Sequence, residues 1–338
     1  MDYIICESPN HFALKAKEQP FWKEGHALLK VKRVGICGTD LHAFKGDQPF
    51  FSYPRILGHE LATEVLEIGS NAAGITIGDK VVIVPYINCG KCSACKAGKA
   101  NCCENLEVFG VHCNGGMQEM ILLPNRLLIP ANHLSLEEIA ITEPLAIGAH
   151  ALRRARIREG DIIVVMGCGP IGMGIIQLAK YAKATVIALD INDTRLAIAK
   201  EHFGADLVVN ALQSPVDKLK DFTHGLLANT VIDASGSKQA IESGLGFMRH
   251  GGNLILVGLS KGDLSFHHPS IHAKEATLIC SRNATLDDFE FVMKVLSEGK
   301  FNTSDYITQT VNYKAILTEF DGWVSQDSKE IKVMTVWD

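Results

Sequence analysis

From the start of the chain to about Pro130, short apolar runs rich in β-branched side chains recur between Gly, Pro and Asn: Ala27 to Val34, Thr63 to Ile68, Lys80 to Val84 and Met120 to Leu123. Runs of that length bounded by turn formers predict strands of an antiparallel or barrel-like domain. From Leu136 to Arg156 the apolar positions take up helical spacing, and Pro144 and Gly148 are expected to break or kink that helix. After Gly160 strand and helix patterns alternate: Ile162 to Met166, Ile171 to Lys183, Thr185 to Asp190, Thr194 to Phe203 and Leu207 to Asn210. The alternation continues through Thr230 to Ala234, Lys238 to Met248, Asn253 to Gly258 and Thr277 to Cys280. Near-continuous apolar strands separated by helices predict an α/β domain, a doubly wound parallel sheet covered on both faces. A helix from Leu286 to Glu298 and short strand-like runs such as Ile331 to Trp337 remain. That tail is too small for a core of its own and should pack back on the first region.

The 338 residues favour two domains, and a balance of 47% hydrophobic to 21% charged residues is that of a soluble globular chain. Lys+Arg at 33 against Asp+Glu at 38 leaves no basic surplus to neutralise phosphates, so nucleic acid is not an expected partner. The uncharged run Ile162 to Ala179 approaches membrane-spanning length, but Gly167, Gly169, Pro170, Gly172 and Gly174 interrupt it, so no membrane association is expected. Met1 to Phe12 carries no cationic segment followed by an apolar one, which predicts a cytoplasmic protein. In that reducing setting the ten cysteines read as candidate metal ligands before disulfides.

Gly167-Cys168-Gly169-Pro170-Ile171-Gly172 has the G-x-G-x-x-G spacing between an apolar strand and an amphipathic helix. Gly167 permits the tight turn, Gly169 lets backbone approach a pyrophosphate, and Gly172 allows close helix packing. The helix start, with Pro170 and Ile171, would face the phosphates with its partial positive charge. Asp190 ends the next strand at the spacing expected of a carboxylate that accepts hydrogen bonds from an adenosine ribose and repels a 2′-phosphate, so NAD is preferred to NADP. Arg195, on the following helix, is a further candidate cofactor contact.

Cys89, Cys92, Cys95 and Cys103 form a C-x2-C-x2-C-x7-C arrangement in a Gly- and Lys-rich loop. Four thiolates satisfy a tetrahedral zinc completely and leave no position for substrate, so this would be a structural ion. Cys102 adjoins Cys103, and spacing does not say which of the two ligates. A second cluster begins at Cys37, with Thr39 and His42 just after it and His59-Glu60 beyond. Glu143 sits in an apolar stretch, where an ionised carboxylate needs a cation or hydrogen bonds. Cys37, His59 and a carboxylate, Glu60 or Glu143, would make three ligands with an open fourth position, the arrangement of a catalytic zinc.

Taken in order, G-I-C-G-T-D-L-H from Gly35, L-G-H-E from Leu57, the cysteine lobe, E-P-L from Glu143 and G-C-G-P-I-G from Gly167 make the chain resemble the zinc-dependent medium-chain dehydrogenase/reductase family. E-P-L resembles the polyol branch, which includes sorbitol and threonine dehydrogenases. F-F-S-Y-P-R from Phe50, G-V-H from Gly110 and S-R-N-A-T from Ser281 resemble bacterial L-galactonate 5-dehydrogenases and the starvation-sensing group. Thr63 stands where the family has glycine, Met120 where an aromatic is common, and Asn101 where threonine dehydrogenases tend to carry histidine.

The resemblance implies a GroES-like catalytic domain over 1–150 and 285–338 with its zinc lobe at 89–103, and a Rossmann NAD-binding domain over 151–284. It implies two zinc ions per subunit, NAD, a homodimer or homotetramer, and oxidation of a secondary alcohol of a polyol or sugar acid. Sorbitol, galactitol or L-threonine oxidation, or a non-catalytic NAD-binding sensor, are the alternatives. The catalytic set it implies is Cys37, Thr39, His42, His59, Glu60 and Glu143, with Thr39 and His42 relaying the proton. Arg55, His112, Asn114 and Arg282 are candidates to grip the substrate, whereas His267, His268, His272, Trp22, Trp323 and Trp337 read as loop, surface or packing residues.

Overall fold

The computed structural model describes residues 1–47, 51–325 and 328–338, so Phe50 of the F-F-S-Y-P-R segment lies outside the described residues. The chain divides into two compact units, one comprising Met1–Pro144, Thr285–Glu298 and Thr303–Asp338, the other Leu145–Ala284 and Gly299–Asn302.

The first unit is built on a seven-stranded sheet. Its order is Ile307–Asn312, Lys332–Val336, His26–Gly35, Glu60–Ile68, Lys80–Ile83 and Leu128–Pro130, with Met120–Pro124 also paired to His26–Gly35. All pairings are antiparallel except that of Ile307–Asn312 with Lys332–Val336. The ten-residue strand His26–Gly35 thus meets three partners, and its pairing with Glu60–Ile68 slips at Leu28/Leu29 and again at Val31/Arg33. Such bulges bend and twist a strand, letting one strand serve several neighbours. Leu29, Val31, Val34, Leu57, Val65 and Val81 lie fully buried in the core it organises. Trp323 and Trp337 belong to the same core.

In the second unit the sheet runs Leu207–Asn210, Thr185–Asp190, Ile162–Met166, Ala228–Asp233, Met248–Leu256 and Thr277–Cys280, all parallel. Strand order reverses beside Ile162–Met166, and ligands of such sheets bind outside the strand carboxyl ends at that switch point. Val164, Ile187, Val231 and Leu254 have no exposed surface, as both-face coverage demands.

Several expectations need correction. Pro144 does not interrupt the helix Leu136–Ala155, which runs on through it and through Gly148. Proline forfeits one backbone donor, but a buried helix can absorb that loss. Gly148 serves packing, since a β-carbon there would come within 3.1 Å of Ile175. The helix expected from Lys238 to Met248 ends at Ser243; Gly244–Phe247 is a 3-10 turn and Met248 already belongs to the next strand. Gly244 leaves room for Leu254, whose side chain would lie 2.8 Å from a β-carbon at that position. The hairpin Asp2–Ser8/His11–Ala16 and the helix Gly38–Lys45 carried no clear periodic signal. Among the described residues, no helix is long and apolar enough to cross a membrane.

Candidate active site and metal centres

The sulfur atoms of Cys89, Cys92, Cys95 and Cys103 all lie within 4.8 Å of one another. Cys92 caps the short helix Ser93–Lys96, whose first turn directs the Cys95 N–H at the Cys92 sulfur. Cys89 N donates to the Cys103 sulfur at 3.3 Å, and Asn88 Nδ2 donates to Cys95 at 3.5 Å. The backbone N–H groups of Lys91 and Cys92 pull the Cys89 thiol down to about 6, which favours the thiolate that a metal needs. Cys103 is buried within this set whereas Cys102 is exposed outside it, a distinction that spacing alone left open.

The second cluster is assembled by strand pairing. Cys37 precedes the helix Gly38–Lys45, and His59 and Glu60 open the strand Glu60–Ile68 after Gly58, whose φ of +94° suits glycine. One ligand atom each from Cys37, His59 and Glu60 falls within 4.8 Å of the others. Gly35 is the cross-strand partner of Glu60, and a β-carbon there would sit 2.2 Å from Glu60 Oε2, so only glycine leaves the carboxylate its place.

Around these three stand groups that the sequence reading gave no role. Lys332, 1% exposed, donates to both oxygens of Glu60 at 2.7 Å and to Ile36 O at 3.0 Å. Burial works against its charge, yet Glu60 holds the ammonium above the usual lysine range. Asp40 accepts the N–H groups of Cys37 at 2.9 Å and Gly58 at 3.3 Å, tying the Cys37 segment to the one that leads into His59 and Glu60. Tyr86 OH donates to Glu143 Oε1 at 2.5 Å, and burial pushes the Glu143 carboxyl up. Glu143 is therefore near the cluster electrostatically but is not one of the three converging residues. Asp40 had a signal, a carboxylate three residues after a helix start. Lys332 had one as well, a lone cation inside the apolar run Ile331 to Trp337. Tyr86 had none.

The half-buried thiol of Cys37 and the buried carboxyls of Asp40, Glu60 and Glu143 set four acidic groups against Lys332, the one buried lysine or arginine among the described residues. His59 Nδ1 is buried without a hydrogen-bond partner, 4.0 Å from Asp40 Oδ1. A buried acid surplus and an orphan imidazole nitrogen fit a divalent cation held by soft and nitrogen donors, and the closed set of four thiols fits a second. Thr39 and His42 lie three residues apart on the helix Gly38–Lys45, hence on one face.

In the second unit Gly167 has a φ of +94°, and a β-carbon at Gly172 would sit 1.8 Å from Gly167 O. At Gly169 a β-carbon would meet nothing within 4 Å, open space beside the start of the helix Pro170–Tyr181. Asp190 accepts Cys168 N at 2.6 Å and Asn192 N at 2.9 Å, which fixes its carboxylate beside a cavity of about 360 Å³ lined by Gly167, Leu189, Ile191 and Leu212 among others. Arg195 is half-buried nearby, and its charge reaches Cys168.

The nominated substrate residues divide. His112 Nδ1 accepts Val108 N at 3.0 Å and Asn114 Oδ1 accepts Ile56 N at 3.2 Å, so both brace loops. Arg55 donates to Ser52 Oγ at 2.8 Å, and Arg282 is exposed after the strand Thr277–Cys280. Trp22 donates to His26 O, and His267, His268 and His272 are exposed.

Comparison with known proteins matches residues 23–133 to the alcohol dehydrogenase GroES-like domain and residues 170–298 to the zinc-binding dehydrogenase domain. The chain is 39% identical over 336 residues to an L-galactonate-5-dehydrogenase of Escherichia coli K12, covering 98% of each. It is 33% identical over 305 residues to a sorbitol dehydrogenase of Halalkalibacterium halodurans, covering 88% of each. A crystal structure of the Escherichia coli CFT073 RspB alcohol dehydrogenase complexed with NADH superposes with a TM-score of 0.92 at 29% identity, covering 99% of both chains.

Proposed function

Since the chain belongs to the zinc-type medium-chain alcohol dehydrogenase family, polyol branch, we propose that it oxidises a secondary hydroxyl of a sugar acid, L-galactonate or a close relative, with NAD. The observation that carries the metal-dependent chemistry is the convergence of Cys37, His59 and Glu60 on one point within a buried acid surplus. The substrate class rests on the whole-length similarity to a sugar-acid dehydrogenase.

Cys37, His59 and Glu60 hold the catalytic ion in this reading, with Glu143 beside them, and Cys89, Cys92, Cys95 and Cys103 hold the structural one. Zinc, when bound, supplies a Lewis acid that lowers the pKa of a substrate hydroxyl. Oxidised nicotinamide supplies the hydride acceptor. Lys332 keeps the Glu60 carboxylate oriented, and Asp40 keeps the Cys37 and Gly58 segments in register. The Thr39 hydroxyl, donor and acceptor at once, passes the hydroxyl proton on without becoming a base itself. His42, the exposed residue one turn further, takes that proton toward water. When the dinucleotide is bound, Asp190 would accept hydrogen bonds from ribose hydroxyls, Ile191 and Leu212 of the adjoining cavity would offer apolar contact, and the start of the helix Pro170–Tyr181 would supply partial positive charge for the phosphates.

The test is an activity panel of L-galactonate, L-gulonate, L-idonate, sorbitol, galactitol and L-threonine, read by reduced-nicotinamide absorbance with each cofactor. The expected result is highest kcat/KM on a sugar acid with NAD; activity confined to L-threonine, or absent throughout with zinc loaded, would refute the substrate reading. A second measurement checks Asp190. Asp190→Ala should lower the ratio of kcat/KM with NAD to that with NADP by roughly 10- to 100-fold, the worth of a charged hydrogen bond. The ratio cancels any general loosening of the loop, so an unchanged ratio removes Asp190 from cofactor choice.

A further inference from the structure

The helix Gly38–Lys45 ends in a way that bears on its own His42. Gly46 adopts φ +80°, its N–H donates to Ala43 O at 3.1 Å, and Asp47 N–H donates to His42 O at 3.0 Å. This pair of bonds is a Schellman ending, and it brings the residue after the glycine back against the residue five before it. Elsewhere that contact is commonly apolar. Here it is ionic: His42 Nδ1 lies 2.7 Å from Asp47 Oδ1.

We propose that Asp47 is a positioning residue for His42, fixing the imidazole as the Nδ1–H tautomer so that Nε2 is the nitrogen that accepts the relayed proton. A carboxylate only accepts, so the ring nitrogen facing it must carry the hydrogen. The neutral ring then has one basic position, Nε2. Proton arrival there gives an imidazolium with both nitrogens protonated, its charge facing the Asp47 carboxylate and the negative end of the helix dipole. Release from Nε2 to water restores the starting tautomer, and no other bond changes. The ring is 60% exposed, so water reaches it. The inference rests on the relay role given to His42 above; the pairing itself does not.

Histidine labelled with ¹⁵N, in the full zinc-loaded enzyme, separates the two. The His42 ring signals are those missing from His42→Gln. They should report protonated Nδ1 and bare Nε2 when the ring is neutral; Asp47→Ala should return them to the tautomer mixture of a free imidazole, and Asp47→Asn, which keeps an accepting oxygen, should largely restore the original pattern. Single-turnover NADH formation should slow about two- to fivefold in Asp47→Ala, as expected of an exposed pair, and at least about tenfold in His42→Gln. Asp47→Ala should have no further effect once His42 is gone. Ring signals unchanged in Asp47→Ala overturn the positioning role, as does an equal slowing in the absence of His42. A His42→Gln enzyme running at the full rate, with the tautomer shift intact, overturns the relay reading instead.

Discussion

Cys37→Ser is expected to lower turnover by about a thousandfold or more while leaving the fold and dinucleotide binding in place. A Lewis acid contributes several kcal/mol of transition-state stabilisation, and each 1.4 kcal/mol or so is tenfold in rate. Cys37 sits at the start of the helix Gly38–Lys45 and is partly exposed, so serine fills its place without opening a cavity. Cys92→Ser should behave differently. Cys92 lies 3.9 Å from the Cys103 sulfur in the proposed zinc set, and serine can still cap the helix Ser93–Lys96, so the change takes away one soft thiolate of the lobe while sparing the cap. The expected result there is a lower Tm and a protease-sensitive lobe, with residual turnover in the fraction that stays folded. Elemental analysis should find two zinc ions per chain in the parent and one in Cys37→Ser. Equal and mild effects of the two changes would refute separate catalytic and structural ions.

The two halves of the chain differed in how plainly their sequence spoke. Ile162–Met166, Thr185–Asp190, Leu207–Asn210 and Thr277–Cys280 occupy the same residues that their apolar runs mark. The central strands, buried on both faces, are almost continuously apolar, so polar or glycine residues mark their ends, whereas the edge strand Thr277–Cys280 is largely exposed and is marked by its β-branched and apolar run alone. Met248–Leu256 starts earlier than the Asn253 expected from its run: Met248 pairs with Ala228, the register then jumps past the polar Arg249 and His250, and continuous pairing with Thr230–Asp233 begins only at Asn253. In the first unit the residues that converge were legible from spacing, because Cys37, His59 and the four-cysteine lobe are local motifs. What surrounds them was not. Lys332 reaches Glu60 from 272 residues away, and Tyr86 reaches Glu143 across 57. The first is chosen by strand order, with Lys332–Val336 and Glu60–Ile68 flanking the same strand, the second by where the helix Leu136–Ala155 packs, and no local pattern encodes either.

Lys332→Met should destabilise the first unit by about 3–5 kcal/mol, the penalty of leaving one partner of a buried pair without the other. Both side chains are essentially inaccessible, at 1% and 0% exposure, so water cannot replace the ammonium. Solvent screening, which makes exposed pairs nearly neutral, has no purchase here. For a unit of this size the loss corresponds to a fall in Tm on the order of 10 °C. Lys332→Arg should retain most of the stability if the fork can be seated, whereas Lys332→Met combined with Glu60→Gln should recover much of the Tm by removing the orphan charge, without recovering turnover. That split is informative. A pair needed only for folding would return activity along with stability, whereas under the proposed function Glu60 serves the ion as well as Lys332. The bare Gly35 between the two strands is part of the same device, since any side chain there would displace the carboxylate that Lys332 holds. Thermal and denaturant unfolding of the three variants measures the stability terms, and Lys332→Met unfolding within about 1 kcal/mol of the parent, the range of an exposed pair, would mean that the ammonium does not compensate Glu60.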